Sequence, residues 1–225
     1  MGRLIAIEGI DGSGKGTQTA LLEEYLRGRG LPVRKISFPN YESESSAPLR
    51  MYLGGQISPD PGAVGAYAAS SFFAVDRYIS FKQDWERDYR EGKILLADRY
   101  VTSNITHQMT KLPKAEWQNF AGWLCDYEYV RLGMPKPDLV VYLDMHPAVS
   151  QKLLLRRYQG DEGKRDIHEG NTEYLTRCRE AALYAAKGVH WEVVRCFDEA
   201  ALTPLPVEDI CLLYTSESSS LAGQT

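Results

Sequence analysis

Nine residues near the start of the chain restrict what it can fold into more than any other stretch. Gly9-Ile10-Asp11-Gly12-Ser13-Gly14-Lys15-Gly16-Thr17 satisfies the pattern G-x-x-x-x-G-K. Such a loop works only with a strand before it and a helix after it, and the sequence supplies both. Residues 4–8 are a short β-rich run, and residues 17–26 have helical length and composition with no interior proline. In that setting the glycines permit backbone conformations that aim successive N–H groups inward, and the helix presents its positive end. Lys15 is then expected to reach the β and γ phosphates of a bound nucleotide. Gly9, Asp11, Gly12, Ser13, Gly14, Lys15, Gly16 and Thr17 are the expected members of this anion cradle.

The rest of the chain extends the same pattern. Short β-rich runs at 33–38, 94–98, 139–144 and 191–196 alternate with helical stretches at 63–90, 115–131 and 172–187, which predicts an α/β fold. The spacing calls for a five-stranded parallel sheet flanked by helices. No internal repeat and no Pro/Gly/Ser linker divides the 225 residues, so one domain over 1–214 is expected. The polar end, 215–225, is expected to be an unordered tail.

Charge and cysteine usage narrow the function classes. With 26 Lys+Arg against 30 Asp+Glu the net charge is -4, leaving no global basic field for nucleic acid or an anionic membrane, so any anion must be held locally. Apolar runs such as 139–143 are far shorter than the ~20 residues that cross a bilayer. A soluble cytoplasmic protein with no nucleic-acid or membrane partner is expected. Cys125, Cys178, Cys196 and Cys211 form no C-x-x-C pair, which argues for reduced thiols over a zinc site or disulfide framework.

From about residue 3 to 194 the chain resembles the thymidylate kinases, most of all the bacterial members. The resemblance is carried by IEGIDGSGKGTQ (7–18), FPNY (38–41), FFAVDR (72–77), DRYVTSN (98–104) and LGMPKPDLVVYLD (132–144), in that order. It implies a P-loop kinase fold with a lid over about 152–170. It also implies MgATP as phosphoryl donor, dTMP as acceptor and a homodimer. Asp98-Arg99 ends a buried strand, where ligands gather in open parallel sheets. The family places this pair beside the transferring phosphoryl group, so Arg99 would clamp the acceptor phosphate while Asp98 orients the arginine or a metal-bound water. A strand-end ion pair is the plainer reading.

Phe73 and Arg77 stand four apart and so share a helix face, a flat ring beside a planar cation. The resemblance makes this the base grip, with Asn104 on the base edge. The plainer reading makes Phe73 core and Arg77 a solvated partner of Asp76. Phe38, Tyr41 and Arg50 are expected in the acceptor loop, and Asp11 at the sugar 3′-OH or a metal water. Arg156, with Arg157 second to it, is expected to bring the lid's charge to ATP. Asp11, Asp98 and Glu169 are the expected Mg²⁺ contacts.

Three departures stand out: Gly16 replaces the usual Ser or Thr after the lysine, as in nucleoside monophosphate kinases with a GKGT order. His107 stands where relatives often carry a tyrosine near the deoxyribose, and His168 replaces an aromatic in the lid. Both histidines are expected substrate contacts. The rival readings are a kinase for another deoxynucleoside monophosphate or for a nucleoside, and an inactive nucleotide-binding regulator. A GTPase is disfavoured because the chain has no N-K-x-D.

Overall fold

A computed structural model of the chain describes residues 1–157, 172–189 and 191–222. The strand that precedes the glycine loop, β1 (Arg3–Gly9), lies at the centre of the sheet. It is flanked by β3 (Ile94–Asp98) and β4 (Leu139–Asp144), with β2 (Val33–Ser37) outside β3 and β5 (Glu192–Arg195) outside β4. All four pairings are parallel, giving the order β2-β3-β1-β4-β5.

Register decides what meets at the carboxyl edge. Asp98 pairs with Ile7 on one side and with Ser37 on the other. The loops after β1, β2 and β3 therefore leave the sheet side by side, at the switch in strand order where parallel sheets bind ligands.

Both faces of the sheet are covered, so the strands are apolar on both sides instead of alternating with polar residues. Leu4, Ala6, Leu95, Ala97 and Tyr142 face one cluster with Trp85, Tyr100 and Phe120. Ile5, Ile7, Leu96, Val141 and Leu143 face the other with Leu22, Leu26 and Tyr214. Each fully buried Leu or Ile in these clusters contributes roughly 1.5–3 kcal/mol.

The helices are more broken than the sequence pattern suggests. The expected helix over 63–90 is α3 (Ala66–Ser80), a wider π turn over Phe81–Trp85, and α4 (Glu86–Arg90), labelled after the short α2 (Ala47–Leu53). Phe81 and Trp85 are both buried at that turn with rings 4.5 Å apart, so core packing overrides the regular 3.6 period. The stretch 115–131 likewise resolves into α6 (Trp117–Cys125) and a π turn over Asp126–Arg131, after α5 (Val101–Gln108).

Further along, α7 (Pro147–Arg157) takes in the first part of the expected lid, and 158–171 lie outside the described residues. After α8 (Thr172–Val189), the hairpin of β6 (Phe197–Asp198) and β7 (Thr203–Pro204) leads into α9 (Val207–Ala222). Helix therefore continues through much of the polar end expected to stay unordered. The reason is tertiary: Tyr214 is buried against α1 (Lys15–Gly28), its hydroxyl donating to Gln18 Oε1 at 2.7 Å. Among the described residues no helix is long and apolar enough to cross a membrane.

Candidate active site

The loop after β1 turns through Gly12 and Gly14, whose φ angles of 77° and 87° are accessible at little cost only to glycine. Its underside rests on α7: a Cβ on Gly12 would come within 2.8 Å of Ser150 O, and Ser150 Oγ donates to the carbonyl of Asp11. Lys15 folds back over the loop, its Nζ donating to Gly9 O at 3.0 Å and Ile10 O at 2.9 Å. Burial pushes its ammonium down to about 8 and Arg99 adds to this, while Asp11, Asp98 and Glu8 pull the other way.

At Gly16 a Cβ would stand 3.3 Å from Asp98 Oδ2, so the carboxylate at the end of the neighbouring strand β3 packs closely against this position.

Arg99 leaves β3 with φ 68°, a left-handed conformation rare for a residue with a side chain. Its guanidinium pairs with Asp11 through Nη2 and reaches His107 Nε2 through Nη1 at 3.0 Å. Burial works against its charge, but Asp11, Glu8 and Asp98 outweigh that and hold its pKa above the ordinary arginine value. Because a guanidinium only donates, His107 Nε2 must accept, which puts the imidazole proton on Nδ1, 2.9 Å from the hydroxyl of Tyr174.

Lining the same cleft, Arg77 is 1% exposed and forms a two-point ion pair with Glu128, Nε to Oε2 at 2.8 Å and Nη2 to Oε1 at 2.5 Å. Asn104 Nδ2 donates to Ser70 O at 3.2 Å and approaches Glu128 Oε1 at 3.4 Å. Phe73 meets Tyr52 edge-on, centroids 6.3 Å apart. Phosphate loop, Arg99, His107, Asn104, Arg77 and Phe73 all line one cleft of about 1010 Å³, at the upper limit of ordinary small-molecule sites. Its lining combines cations and a helix N-terminus with a flat ring and fixed donors. The arrangement suits two ligands joined through phosphate.

A family model described as thymidylate kinase matches residues 7–200. The chain belongs to the thymidylate kinase family. It is 33% identical to the thymidylate kinase of Mycobacterium tuberculosis over 186 residues, covering 81% of this chain and 84% of that protein. A probable thymidylate kinase of Pyrobaculum aerophilum is 31% identical over 159 residues, 68% of this chain and 70% of that one. The thymidylate kinase of Arabidopsis thaliana is 30% identical over 161 residues, 72% of this chain and 54% of that one.

Within this thymidylate kinase framework several residues fall differently from the sequence expectation. Arg77 pairs with Glu128 and not with Asp76, whose carboxylate instead takes Asn40 N at 2.9 Å and Ser45 Oγ at 2.7 Å. Arg50 does not line the cleft. Its Nη1 donates to Tyr41 O, Ser43 O and Ser46 Oγ at 2.5–2.8 Å, shaping the loop that carries the cleft-lining Tyr41. Phe38 lines the cleft but is 4% exposed, its ring 6.0 Å from that of Tyr100. Of the two expected lid arginines, Arg157 lines the cleft, and Arg156 is not among its lining residues. His168 and Glu169 lie outside the described residues.

Glu8, Glu128 and Gln108 escaped the sequence reading. The first two carried a signal, since an acid inside an apolar strand or an aromatic helix is rarely tolerated without partners. Gln108 carried none: its buried Oε1 without a partner is visible only in three dimensions. As for metal, no three His, Cys, Asp or Glu converge among the described residues. Asp11 and Asp98 still fit the habit of Mg²⁺, which takes one or two carboxylates alongside substrate phosphates.

Proposed function

We propose that the protein transfers the γ-phosphoryl group of ATP to the phosphate of dTMP, giving dTDP and ADP. The observation that supports this reading is that Lys15, Arg99, Phe73, Arg77 and Asn104 all line one cleft. The acceptor phosphate, with a second pKa near ~6, is already largely dianionic at pH 7, so no general base is needed. Catalysis is then alignment and charge stabilisation.

In this reading Lys15 leaves the carbonyls of its own loop for the β and γ oxygens. Arg99 keeps its planar donors toward the acceptor phosphate and the group in flight. Arg157 adds positive charge from the end of α7. Asp98 and Asp11 are the residues that would hold Mg²⁺ alongside the phosphates, where the ion would supply neutralising charge. At the base end Phe73 stacks on the pyrimidine. Two donors of Arg77 are committed to Glu128, leaving others of its five N–H groups for a ring carbonyl, and Asn104 meets the base edge. His107 borders the sugar.

The reading includes residues 1–214 acting as one domain, a cytoplasmic setting suited to four free thiols, and a homodimer. The dimer is supported by a row of partly exposed rings, Tyr67 against Trp123 at 4.6 Å and Trp123 stacked on Tyr127 at 5.3 Å. The decisive experiment is single-turnover phosphorylation with ATP and dTMP, dUMP, dCMP, dGMP or AMP. Fastest turnover of dTMP is expected. A preference for a purine or cytosine monophosphate overturns the base assignment, and no transfer to any of them favours a regulator.

A further inference from the structure

Strand β1 is apolar and buried from Leu4 to Ile7, and the next residue is an acid. Glu8 is 1% exposed. A carboxylate in such a place is costly unless donors converge on it, and three do. Tyr100 N donates to Oε1 at 2.9 Å, Thr102 Oγ1 to Oε1 at 2.6 Å, and Ser103 Oγ to Oε2 at 2.5 Å. All three belong to the turn that follows Arg99 and to the first residues of α5. Burial raises the Glu8 pKa, while the hydrogen bonds from Ser103 and Thr102, the field of Arg99 and the Tyr100 amide work to keep the group charged.

The same turn carries the backbone strain of the site. Arg99 sits at φ 68°, and a non-glycine residue stays in that region only when its surroundings over-determine it. Two consecutive backbone amides supply that constraint. Arg99 N donates to Ile7 O at 3.1 Å, and Tyr100 N donates to the Glu8 side chain. The cross-strand register carries the first; the carboxylate carries the second. If that grip fails, Arg99 is released to a relaxed φ, and its guanidinium swings away from the end of the cleft.

We propose that Glu8 is a positioning residue for Arg99, its carboxylate locking the left-handed turn so that the guanidinium faces the acceptor phosphate. The inference rests on the role given to Arg99 above. A carboxylate that merely stabilised the start of α5 would affect folding and would be indifferent to whether an arginine stands at position 99.

The test is a double-mutant cycle of wild type, Glu8→Gln, Arg99→Ala and the double variant, each read as single-turnover rate at saturating ATP and dTMP and corrected for folded fraction. Gln has nearly the same shape but offers one acceptor oxygen in place of two and lacks the charge, so the three donors, Tyr100 N among them, no longer converge on a carboxylate. Glu8→Gln is expected to lower the rate roughly ten- to a hundredfold, the scale of a misplaced catalytic group. In the Arg99→Ala background the same change should cost no more than about twofold, because the residue it positions is gone. Equal losses in both backgrounds overturn the proposal in favour of a structural role. An inactive Arg99→Ala with an unimpaired Glu8→Gln overturns this inference alone, whereas an active Arg99→Ala overturns the reading of Arg99 and this inference with it. Should Glu8→Gln not fold, Thr102→Val removes one donor and leaves the charge. A loss confined to the Arg99-containing background is again expected, and equal losses or none overturn the proposal.

Discussion

In the region of the cleft proposed to hold phosphate, Lys15 and Arg99 share their surroundings with Asp11, Asp98 and Glu8, and the Arg99 and Asp11 side chains keep 19% and 15% of their exposure. At the proposed base end, Arg77 and Glu128 are tied by two hydrogen bonds with side-chain exposures of 2% and 0%. The first arrangement leaves water and an arriving phosphate able to compete for the cations. The second is internally satisfied before any ligand arrives, so its geometry is fixed and only the leftover donors of Arg77 are on offer. On the proposed reading, the cations that meet moving charge sit among several carboxylates, and the arginine that meets the base is held by one partner in two places.

The comparison breaks most readily at Lys15. Lys15→Ala should lower kcat by hundreds-fold or more, since a cation aimed at developing charge is worth several kcal/mol (order of magnitude). Its thermal stability should not fall, because the ammonium is held in burial against its own preference. A kcat near wild type removes Lys15 from the chemistry.

Glu128→Ala should instead appear as instability. Stripping one partner from a buried ion pair costs about 3–5 kcal/mol, and denaturant unfolding would show it directly. If stability is unchanged, the base end is as tolerant as the phosphate end and the contrast fails. Arg99→Lys keeps the charge but loses the planar fork, so kcat and dTMP affinity should both drop by on the order of tenfold or more. A fall in stability with kinetics unchanged in the folded fraction would leave Arg99 as a strand-end ion pair only. Arg77→Ala should narrow the preference for dTMP over dCMP in kcat/KM, since a lost buried hydrogen bond is worth ~1–3 kcal/mol of discrimination. An unchanged ranking of monophosphates would show that Arg77 does not read the base.

The smallest effect is on pH. Burial puts Lys15 at about 8 against an ordinary 10.5, so kcat/KM should decline as pH rises through about 8 and the ammonium is lost. Stability should move oppositely. Between those two values the unfolded chain binds more protons, so the Lys15 contribution to stability rises with pH across that window. Lys111, held by Tyr52 Oη at 2.8 Å and Val64 O at 2.7 Å, is also pushed by burial to about 8. The limb is assigned with Lys111→Met, which should leave it in place; a limb that moves with Lys111 refutes the assignment.

Much of this was legible from residues alone because the signals were local. The glycine loop between a strand and a helix, the acid-arginine pair at a strand end, and Phe73 and Arg77 four apart each declare themselves within a few residues. What stayed hidden needed partners from far along the chain. Arg77 finds Glu128 across 51 positions, and Tyr100 finds Glu8 across 92. That Arg157 borders the cleft while Arg156 does not is likewise a matter of tertiary placement that no spacing rule fixes.

By itself the sequence determined the parallel α/β architecture, the glycine loop after the first strand and the family, because periodicity and glycine placement are properties of the chain's own backbone sterics and burial pattern. Only the tertiary structure decided which charges balance which, how closely Asp98 packs against Gly16, and why helix continues past Thr215. Those outcomes depend on desolvation and on the closeness of groups distant in sequence, and the strength of both is set by the folded surroundings.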